Sequence, residues 1–267
     1  MLQINNLSKS FSIDGINKTK VLNNIKLNIK DSDFITIVGS NGAGKTTLFN
    51  CLSGKNTIDE GEIILDNQNI SKQKEYERSK YIGRLFQDPL KGTAPNMSVE
   101  ENLALAYLRA NNSKNPLSTL SNKDRQLIKE RLKELNLGLE DKLNQKVALL
   151  SGGQRQALTL LMATIVSPKI LLLDEHTAAL DPNTSELIMD LTNKIVSRNY
   201  MTCLMITHNL NQAINTGNRL LMMESGNIVL DIQGKEKEKL TVNKLLTKFK
   251  QATGNEFNND KILLSKQ

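Results

Sequence analysis

A glycine-rich loop between an apolar run and a helical run is the feature that most constrains this chain. Residues Gly39–Thr47 read Gly-Ser-Asn-Gly-Ala-Gly-Lys-Thr-Thr, and they follow the apolar residues 34–38. The loop fits the pattern G-x-x-x-x-G-K-[ST]. Because glycines allow the backbone to curl with its N–H groups pointing inward, such a loop binds anionic oxygens, and the helix that follows adds its positive end. The loop therefore predicts a nucleoside triphosphate site.

Every residue of this loop is a candidate nucleotide contact. Lys45 can reach the β- and γ-phosphates, Thr46 offers a hydroxyl to Mg²⁺, and Thr47 can bind a phosphate oxygen. We count Lys45 among the catalytic residues and Thr46 among the metal ligands. The complete predicted set is Gly39, Ser40, Asn41, Gly42, Ala43, Gly44, Lys45, Thr46 and Thr47. The loop alone does not say what happens to the nucleotide after it binds.

Two acids follow a second apolar run. Asp174 and Glu175 come directly after residues 170–173, which read as a strand buried on both faces. Burying carboxylates at the end of a strand costs free energy, so their presence there indicates a functional role. We expect Asp174 to hold Mg²⁺ through a water, and Glu175 to orient or deprotonate a water that faces the γ-phosphate. An acid pair that caps a helix N-terminus is the alternative.

A second turn of small residues precedes an apolar helix that begins near Arg155. Residues 150–154 read Leu-Ser-Gly-Gly-Gln. Such a turn can be an anion-binding nest at a helix start, and by itself it could equally be a plain helix cap.

Hydrophobic periodicity predicts the remaining elements, with a helical insert in an otherwise α/β order. The predicted strands are 21–29, 34–38, 61–65, 170–173 and 203–206, with a hairpin at 220–230. The predicted helices are 46–52, 98–109, 124–135, 183–197 and 241–249, besides the one that begins near Arg155. Ser98 and Glu101 form the pattern of a capping box, residues 111–122 read as a loop, and the C-terminal helix is expected to dock on its own domain before a frayed tail.

Composition narrows the functional classes. The net charge is +7, but lysines and acids are interspersed and aromatics are only 4%, so we do not expect nucleic-acid binding. The only cysteines, Cys51 and Cys203, lie in apolar segments and read as reduced core thiols. The N-terminus lacks an apolar core of signal-peptide length, and the apolar stretch 157–166 is far shorter than the ~20 residues of a membrane span. We expect a cytosolic protein.

The loop, the turn at residues 150–154 and the acid pair, in this order, resemble the ATP-binding cassette family over nearly the whole chain. The resemblance implies a head-to-tail dimer that encloses two MgATP. Each ATP then lies between Lys45, Thr46 and Glu175 of one subunit and Ser151 and Gly153 of the other. Within the turn, the residues expected to contact ATP are Ser151, Gly152, Gly153 and Gln154.

The resemblance assigns four further residues. Gln87 resembles the glutamine that contacts Mg²⁺ and the attacking water and senses the transport partner. His208 resembles the histidine that contacts the γ-phosphate, although a histidine after a buried strand can be merely structural. Asp181 lies in a segment that resembles the loop crossing the dimer interface. Phe11 stands where an aromatic ring stacks on adenine.

Two positions depart from the family pattern. His176 stands where most cassettes have proline, and Ser32 stands where glycine is frequent. We expect neither side chain to touch the chemistry.

The resemblance and the element order together predict an α/β fold: a P-loop NTPase core with a mainly parallel sheet, an N-terminal antiparallel β subdomain and an inserted helical subdomain. We divide the chain into four segments. These are the β subdomain with the first part of the core (1–97), the helical subdomain (98–168), the second part of the core (169–235), and the C-terminal helix and tail (236–267).

Segments around Gln87, Asp174 and residues 218–246 resemble one bacterial subgroup of importer ATPases. That subgroup works with an extracellular binding lipoprotein and a branched-chain-type permease, and several of its systems are associated with tryptophan or tyrosine. We therefore expect a peripheral ATPase on the cytoplasmic face of the plasma membrane, with a second copy and a permease as partners. The permease should be gripped by residues 98–147 together with the Gln87 loop. An exporter ATPase, a soluble cassette protein without a membrane role and a regulatory cassette without turnover are the alternatives.

Overall fold

The computed structural model describes residues 1–13, 17–110 and 121–257. Its contacts divide the chain into two compact units, which are described separately. Unit 1 comprises the described residues of Met1–Arg78 and Thr202–Gln267, and unit 2 comprises those of Ser79–Met201. The predicted loop at 111–122 lies outside the described residues except for its last two positions, and so does the predicted tail beyond residue 257.

The elements are as follows in chain order. The first segment of unit 1 contains β1 (Leu2–Ile13), β2 (Asn17–Ile29), β3 (Phe34–Gly39), α1 (Lys45–Ser53), β4 (Glu60–Leu65), β5 (Gln68–Asn69) and α2 (Glu75–Arg78). Unit 2 contains β6 (Ile82–Leu85), α3 (Val99–Ala110), α4 (Asn122–Glu134), α5 (Gly152–Thr164), β7 (Ile170–Asp174) and α6 (Pro182–Arg198), with 3₁₀ turns at Pro89–Gly92, Leu139–Asp141 and Val147–Leu149. Unit 1 resumes with β8 (Thr202–Ile206), α7 (Leu210–Asn215), β9 (Arg219–Glu224), β10 (Asn227–Gln233), α8 (Lys235–Glu238) and α9 (Val242–Thr253).

An antiparallel sheet of order β2-β1-β4-β5 forms the N-terminal part of unit 1. Leu2 of β1 pairs with Ile29 on one side and with Leu65 on the other, and all three side chains are buried. The β1–β2 ladder contains irregularities, and Asn6 and Asn24 take positive φ of 52° and 53° there. Asparagine tolerates this left-handed conformation better than most residues, so these positions bend the strands without a glycine. The predicted antiparallel β subdomain is therefore confirmed.

The second group of strands in unit 1 holds the glycine-rich loop. β3 is parallel to β8 on one side and to β9 on the other, and all six of its residues are buried. Its continuous apolar sequence follows from this position, because a central parallel strand is covered on both faces. β10 pairs with β9 antiparallel through the turn at Ser225 and Gly226, which confirms the predicted hairpin.

The C-terminal helix docks on unit 1, as predicted. Leu245 and Phe249 of α9 are buried against Val38 of β3 and Leu210 of α7. The ring of Phe257 meets that of Phe249 edge to face at 5.1 Å. Thr241 caps the helix by accepting a hydrogen bond from the N–H of Lys244. The apolar face of α9 therefore packs within unit 1.

Unit 2 contains the helical insert and the parallel strands β6 and β7. The predicted capping box is present, since Ser98 N–H donates to Glu101 at 2.7 Å and Glu101 N–H donates to Ser98 Oγ at 3.2 Å. α4 begins two residues earlier than predicted, because Ser121 and Asp124 form a second capping box that starts the helix at Asn122. None of the described helices combines the length and the apolarity that crossing a bilayer requires.

Both cysteines are free and buried, as predicted. Burial raises the pKa of the Cys51 thiol to about 11 and that of Cys203 well above its ordinary value. Thiols held in the protonated form are poor nucleophiles, so both cysteines act as small apolar core residues.

Truncation of Phe249, a buried side chain of the C-terminal helix α9, should destabilise the protein strongly. Phe249→Ala removes a side chain that is 1% exposed, and we expect the free energy of unfolding to fall by about 3–5 kcal/mol in urea titrations. Leu105→Ala, at a 52%-exposed position on α3, is the matched control and should change it by about 0.5 kcal/mol or less. Equal losses in the two variants would contradict the docking of α9.

Candidate nucleotide site

The glycine-rich loop curls between the end of β3 and the start of α1. Gly44 takes a φ of 98°, and a Cβ at this position would lie 2.8 Å from the carbonyl oxygen of Val21. Only glycine combines this left-handed backbone with this close approach. Lys45 then starts the helix, and its Nζ donates to the carbonyl oxygens of Gly39 at 2.7 Å and Ser40 at 2.9 Å. The buried ammonium is thus held against the loop itself.

The N-terminus of α1 differs from that of the other long helices. Its N-cap is Gly44, no side chain caps it, and its first turn has no acid. Within the described part of the chain, every other helix of eight or more residues has a side chain that accepts a first-turn N–H. These caps are Ser98, Ser121, Ser151, Asp181 and Thr241. The first amides of α1 are therefore suited to bind an external anion, together with the positive end of the helix dipole.

His208 lies at the same edge of unit 1 as the loop. It follows β8, the loop follows β3, and the two strands are parallel neighbours. Thr207 N–H donates to Ile37 O at 3.2 Å, which fixes the step from β8 into the turn that carries the half-buried His208. Ligands of parallel sheets bind at this carboxyl edge, so the position of His208 agrees with a site residue.

Ser40 and Phe11 are the other predicted contacts with a distinctive setting in unit 1. The hydroxyl of Ser40 donates to the carboxylate of Glu224 at 2.8 Å, so it is used within the protein. Phe11 lies on β1 with 39% of its surface exposed, and Lys9 Nζ lies 5.5 Å from the ring centroid. An exposed ring beside a cation offers a flat face for stacking.

The acid pair ends β7 in unit 2. Asp174 is the last residue of the strand, and one carboxylate oxygen lies 3.4 Å from Nη2 of Arg84 on the neighbouring strand β6. The pair is not a helix cap, because the next helix begins at Pro182 and is capped by Asp181. Asp174 is therefore a buried acid at a strand end, beside a cation.

Glu175 has an unusual backbone. Its φ is 50°, in the left-handed region, which costs a non-glycine residue of this size about 1 kcal/mol or more. Its carbonyl oxygen accepts a hydrogen bond from Ala178 N–H at 3.0 Å, closing the turn that holds this conformation. Backbone strain of this kind is concentrated at functional sites, where the surrounding structure maintains it.

Gln87 follows β6 as the acids follow β7, and its side chain is exposed. Because β6 and β7 are parallel neighbours, the two strand ends lie at one edge of unit 2. The structure thus brings Gln87, Asp174 and Glu175 to one edge of unit 2, and the loop and His208 to one edge of unit 1.

The turn at 150–154 is a helix cap with an exposed tip. Ser151 Oγ accepts from Gln154 N–H at 3.2 Å, and Gln154 Oε1 accepts from Ser151 N–H at 3.2 Å. The amide of Gln154 also donates to Leu137 O at 3.1 Å, so this side chain is used within unit 2. Ser151 itself is exposed. A Cβ on Gly153 would lie 2.4 Å from Thr184 Cγ2, so glycine at this position lets α5 approach α6 without a shift of that side chain.

Sequence reasoning did not find Arg84 or Glu224. Arg84 is one cation in the apolar strand 82–85, and this break in the pattern was the available signal. Glu224 ends a strand of the predicted hairpin, and its partner Ser40 is distant in the chain, so no local pattern indicates the contact.

His176 is a fully buried residue next to the acid pair. Its Nε2 lies 3.2 Å from Thr192 Oγ1, and that hydroxyl donates to Ile188 O at 2.8 Å. Thr192 therefore accepts from the imidazole, which must carry its proton on Nε2. Burial lowers the pKa of His176 to about 4. The residue is a neutral core histidine.

Asp181, expected at the dimer interface, is exposed and caps α6 through the N–H of Thr184 at 3.1 Å. The hydrogen bonds from Thr184 lower the pKa of its carboxyl group. The side chain is thus ionised and fixed at the start of the helix.

A buried strand that passes through a glycine-rich loop into an uncapped helix is the arrangement of the P-loop nucleoside triphosphatases. A family model described as "ABC transporter" matches residues 22–178. The chain is 47% identical over 254 residues to the tyrosine transport ATP-binding protein of Clostridioides difficile (strain R20291), an alignment that covers 94% of this chain and 100% of that relative. It is 34% identical over 236 residues to a phosphonates import ATP-binding protein of Oceanobacillus iheyensis, covering 86% of this chain and 89% of the relative.

A solved dimeric ATP-binding cassette, in a post-hydrolysis state bound to ADP and Pi, is also similar. It has a TM-score of 0.75 and 29% identity, with 87% of this chain and 98% of that chain covered. The chain belongs to the ABC transporter family, and it is an ATP-binding ATPase of that family. The predicted family, fold and ATPase activity are confirmed.

Acidification should lower the free energy of unfolding, because His176 is buried in its neutral form. The pKa is about 4 in the folded protein and about 6.5 in the unfolded chain, so the unfolded chain binds more protons between these values and stability falls as the pH falls. From pH 7 to pH 5 we expect His176 to account for a loss of about 2 kcal/mol in the free energy of unfolding.

Urea unfolding at both pH values, for the wild type and His176→Gln, measures this contribution. The variant should lose about 2 kcal/mol less than the wild type over this interval, whatever its own stability at pH 7. An identical pH dependence in the two proteins would show that the imidazole is not buried in its neutral form.

Proposed function

We propose that this chain is the ATP-hydrolysing subunit of a bacterial importer, and that it works as a dimer closing on two MgATP. The observation that carries the ATP site is the uncapped N-terminus of α1 behind a glycine-required turn. Import is supported by the two relatives, which are a tyrosine transport protein and a phosphonates import protein.

The loop residues Gly39–Thr47 hold the phosphates in this proposal. Their backbone amides and the positive end of α1 bind the β- and γ-phosphates, and Lys45 exchanges its loop carbonyls for phosphate oxygens. Phe11 stacks on the adenine, supported by its exposure and by the cation beside its ring. Ser40 contributes through its backbone, because its hydroxyl is already bonded to Glu224.

Each proposed ligand has a chemistry that suits a magnesium ion. Thr46 offers an exposed hydroxyl at the start of α1, and Asp174 and Gln87 offer a carboxylate and an amide oxygen, which are the hard ligands that Mg²⁺ prefers. When bound, Mg²⁺ neutralises charge on the phosphate oxygens during transfer to water.

Glu175 and His208 carry the protein's own chemistry. Glu175 accepts a proton from the attacking water, and its strained backbone supports a position set by function rather than by local preference. His208, at the carboxyl edge beside the loop, binds the γ-phosphate oxygens and stabilises the charge that develops on them.

A second copy completes each site. Ser151 and Gly152–Gln154 form a turn at the N-terminus of α5 in which Ser151 is exposed, and this turn is suited to bind the γ-phosphate of an ATP held by the partner. Asp181 lies at the dimer interface in this arrangement. The similar solved cassette is a dimer with ADP and Pi, which supports the shared site.

Glu175→Gln should separate binding from turnover. Loss of the general base should lower ATP turnover at least about 100-fold, while ATP still binds and dimers accumulate in gel filtration. Adding Ser151→Arg to this variant should abolish the ATP-dependent dimer, since a large cation would occupy the partner's part of the site. Undiminished turnover, or dimers that ignore Ser151→Arg, would contradict the proposal.

The permease is proposed to dock on residues 98–147 and the Gln87 loop. This region exposes large apolar side chains, Leu90 after β6 and Leu105 on α3, and apolar contact at an interface core supplies affinity. We keep the four-segment division of the chain as part of this proposal, with 98–168 as the segment that responds to the permease.

The ATPase would then lie on the cytoplasmic face of the plasma membrane. An extracellular binding lipoprotein would supply an aromatic amino acid as cargo, as the tyrosine transport relative suggests.

Co-purification from detergent-solubilised membranes tests the partner. The wild type should recover a multi-span protein, and Leu105→Glu should reduce the recovery at least tenfold without loss of ATP binding. Leu187→Glu, an exposed leucine on α6 outside the insert, is the matched control and should retain the partner. Recovery of ribosomes instead of a membrane protein would favour a cassette without a transport role.

A further inference from the structure

We propose that Arg84 is a built-in competitor of the divalent cation at Asp174, so that this arginine sets the magnesium concentration at which nucleotide binds. The inference rests on the proposed function in one respect, namely that Asp174 is a metal ligand. It assigns a role to a residue that no motif of the site includes.

The strand register brings the two side chains together. Arg84 lies on β6 opposite Leu172 of β7, and Asp174 is two residues further along β7 on the same ladder. Nη2 of Arg84 and one carboxylate oxygen of Asp174 are 3.4 Å apart. The side chains are only 8% and 10% exposed, so water screens this pair weakly.

An aromatic ring holds the guanidinium from another side. The Arg84 guanidinium carbon lies 4.7 Å from the centroid of the Phe86 ring. This is a cation–π contact, which disfavours movement of the cation into solvent. Phe86 directly precedes Gln87, so the arginine lies between the acid and the segment that carries the glutamine.

A fixed cation at this place has opposite effects on two states of Asp174. Without metal, the arginine balances a carboxylate that would otherwise be buried with less compensation, and it therefore stabilises the protein. When a divalent cation approaches the same carboxylate, the positive charge of the arginine repels it, and the low local dielectric makes this repulsion strong. Removal of the positive charge of Arg84 should thus lower the stability of the metal-free protein and raise its affinity for Mg²⁺.

A purely orienting arginine would behave differently. If Arg84 only fixed the rotamer of Asp174 for the metal, its neutralisation would weaken Mg²⁺ binding. The direction of the change in Mg²⁺ affinity therefore distinguishes competition from positioning.

The experiment titrates Mg²⁺ into the full chain with a fixed concentration of a fluorescent methylanthraniloyl-ADP, which binds without being hydrolysed. In Arg84→Gln we expect the half-saturating Mg²⁺ concentration to fall about tenfold, and the melting temperature in EDTA to fall by several degrees. Arg84→Lys keeps the charge and should stay within about threefold of the wild type.

Arg84→Met is a second neutral variant whose apolar stem can still pack on Phe86, so the test survives if the glutamine variant does not fold. An unchanged or higher half-saturating Mg²⁺ concentration in a neutral variant would overturn the proposal. Asp174→Asn tells the two failures apart. If it leaves the Mg²⁺ titration unchanged, the metal role of Asp174 fails together with this inference. If it weakens Mg²⁺ binding while the neutral Arg84 variants do not tighten it, only the competition fails.

Discussion

The start of α1, which no side chain caps, is the constraint on which the rest of the molecule depends. A helix end needs acceptors for its first N–H groups, and the other long described helices meet this need with their own side chains. At α1 the cap position is a glycine in the left-handed conformation, and no side chain caps the helix. A fully buried parallel strand leads directly into this loop, so the start of α1 is fixed in place and suited to bind an external anion.

Most of the other candidate site residues lie at the carboxyl ends of parallel strands. The glycine-rich loop, His208, Gln87 and Glu175 follow parallel strands and Asp174 ends one, whereas Phe11 lies on the antiparallel strand β1 and Asp181 caps α6. The loop and His208 share one such edge, while Gln87 and the acid pair share another. The turn at Ser151 differs, because it is a satisfied helix cap in which Ser151 is exposed.

Much of this could be predicted from the sequence, since the relevant signals are local. The glycine-rich loop, the capping box at Ser98 and the hairpin at Ser225 each depend on residues a few positions apart. The sequence predicts the start of α4 too late, because Ser121 lies in a polar segment that is typical of a loop. The Arg84–Asp174 and Ser40–Glu224 contacts could not be predicted, since they depend on which strands become neighbours and what faces across them. The roles assigned to the site residues remain predictions.

The backbone of Glu175 has an evolutionary consequence. At a φ of 50°, glycine or asparagine would relieve the local strain, whereas glutamate keeps it. Selection for thermal stability alone would therefore favour replacement of this acid, whereas the proposed role of Glu175 as general base would retain it. On this proposal, a descendant chain that no longer needs ATP turnover should lose the glutamate early and gain stability as it does so.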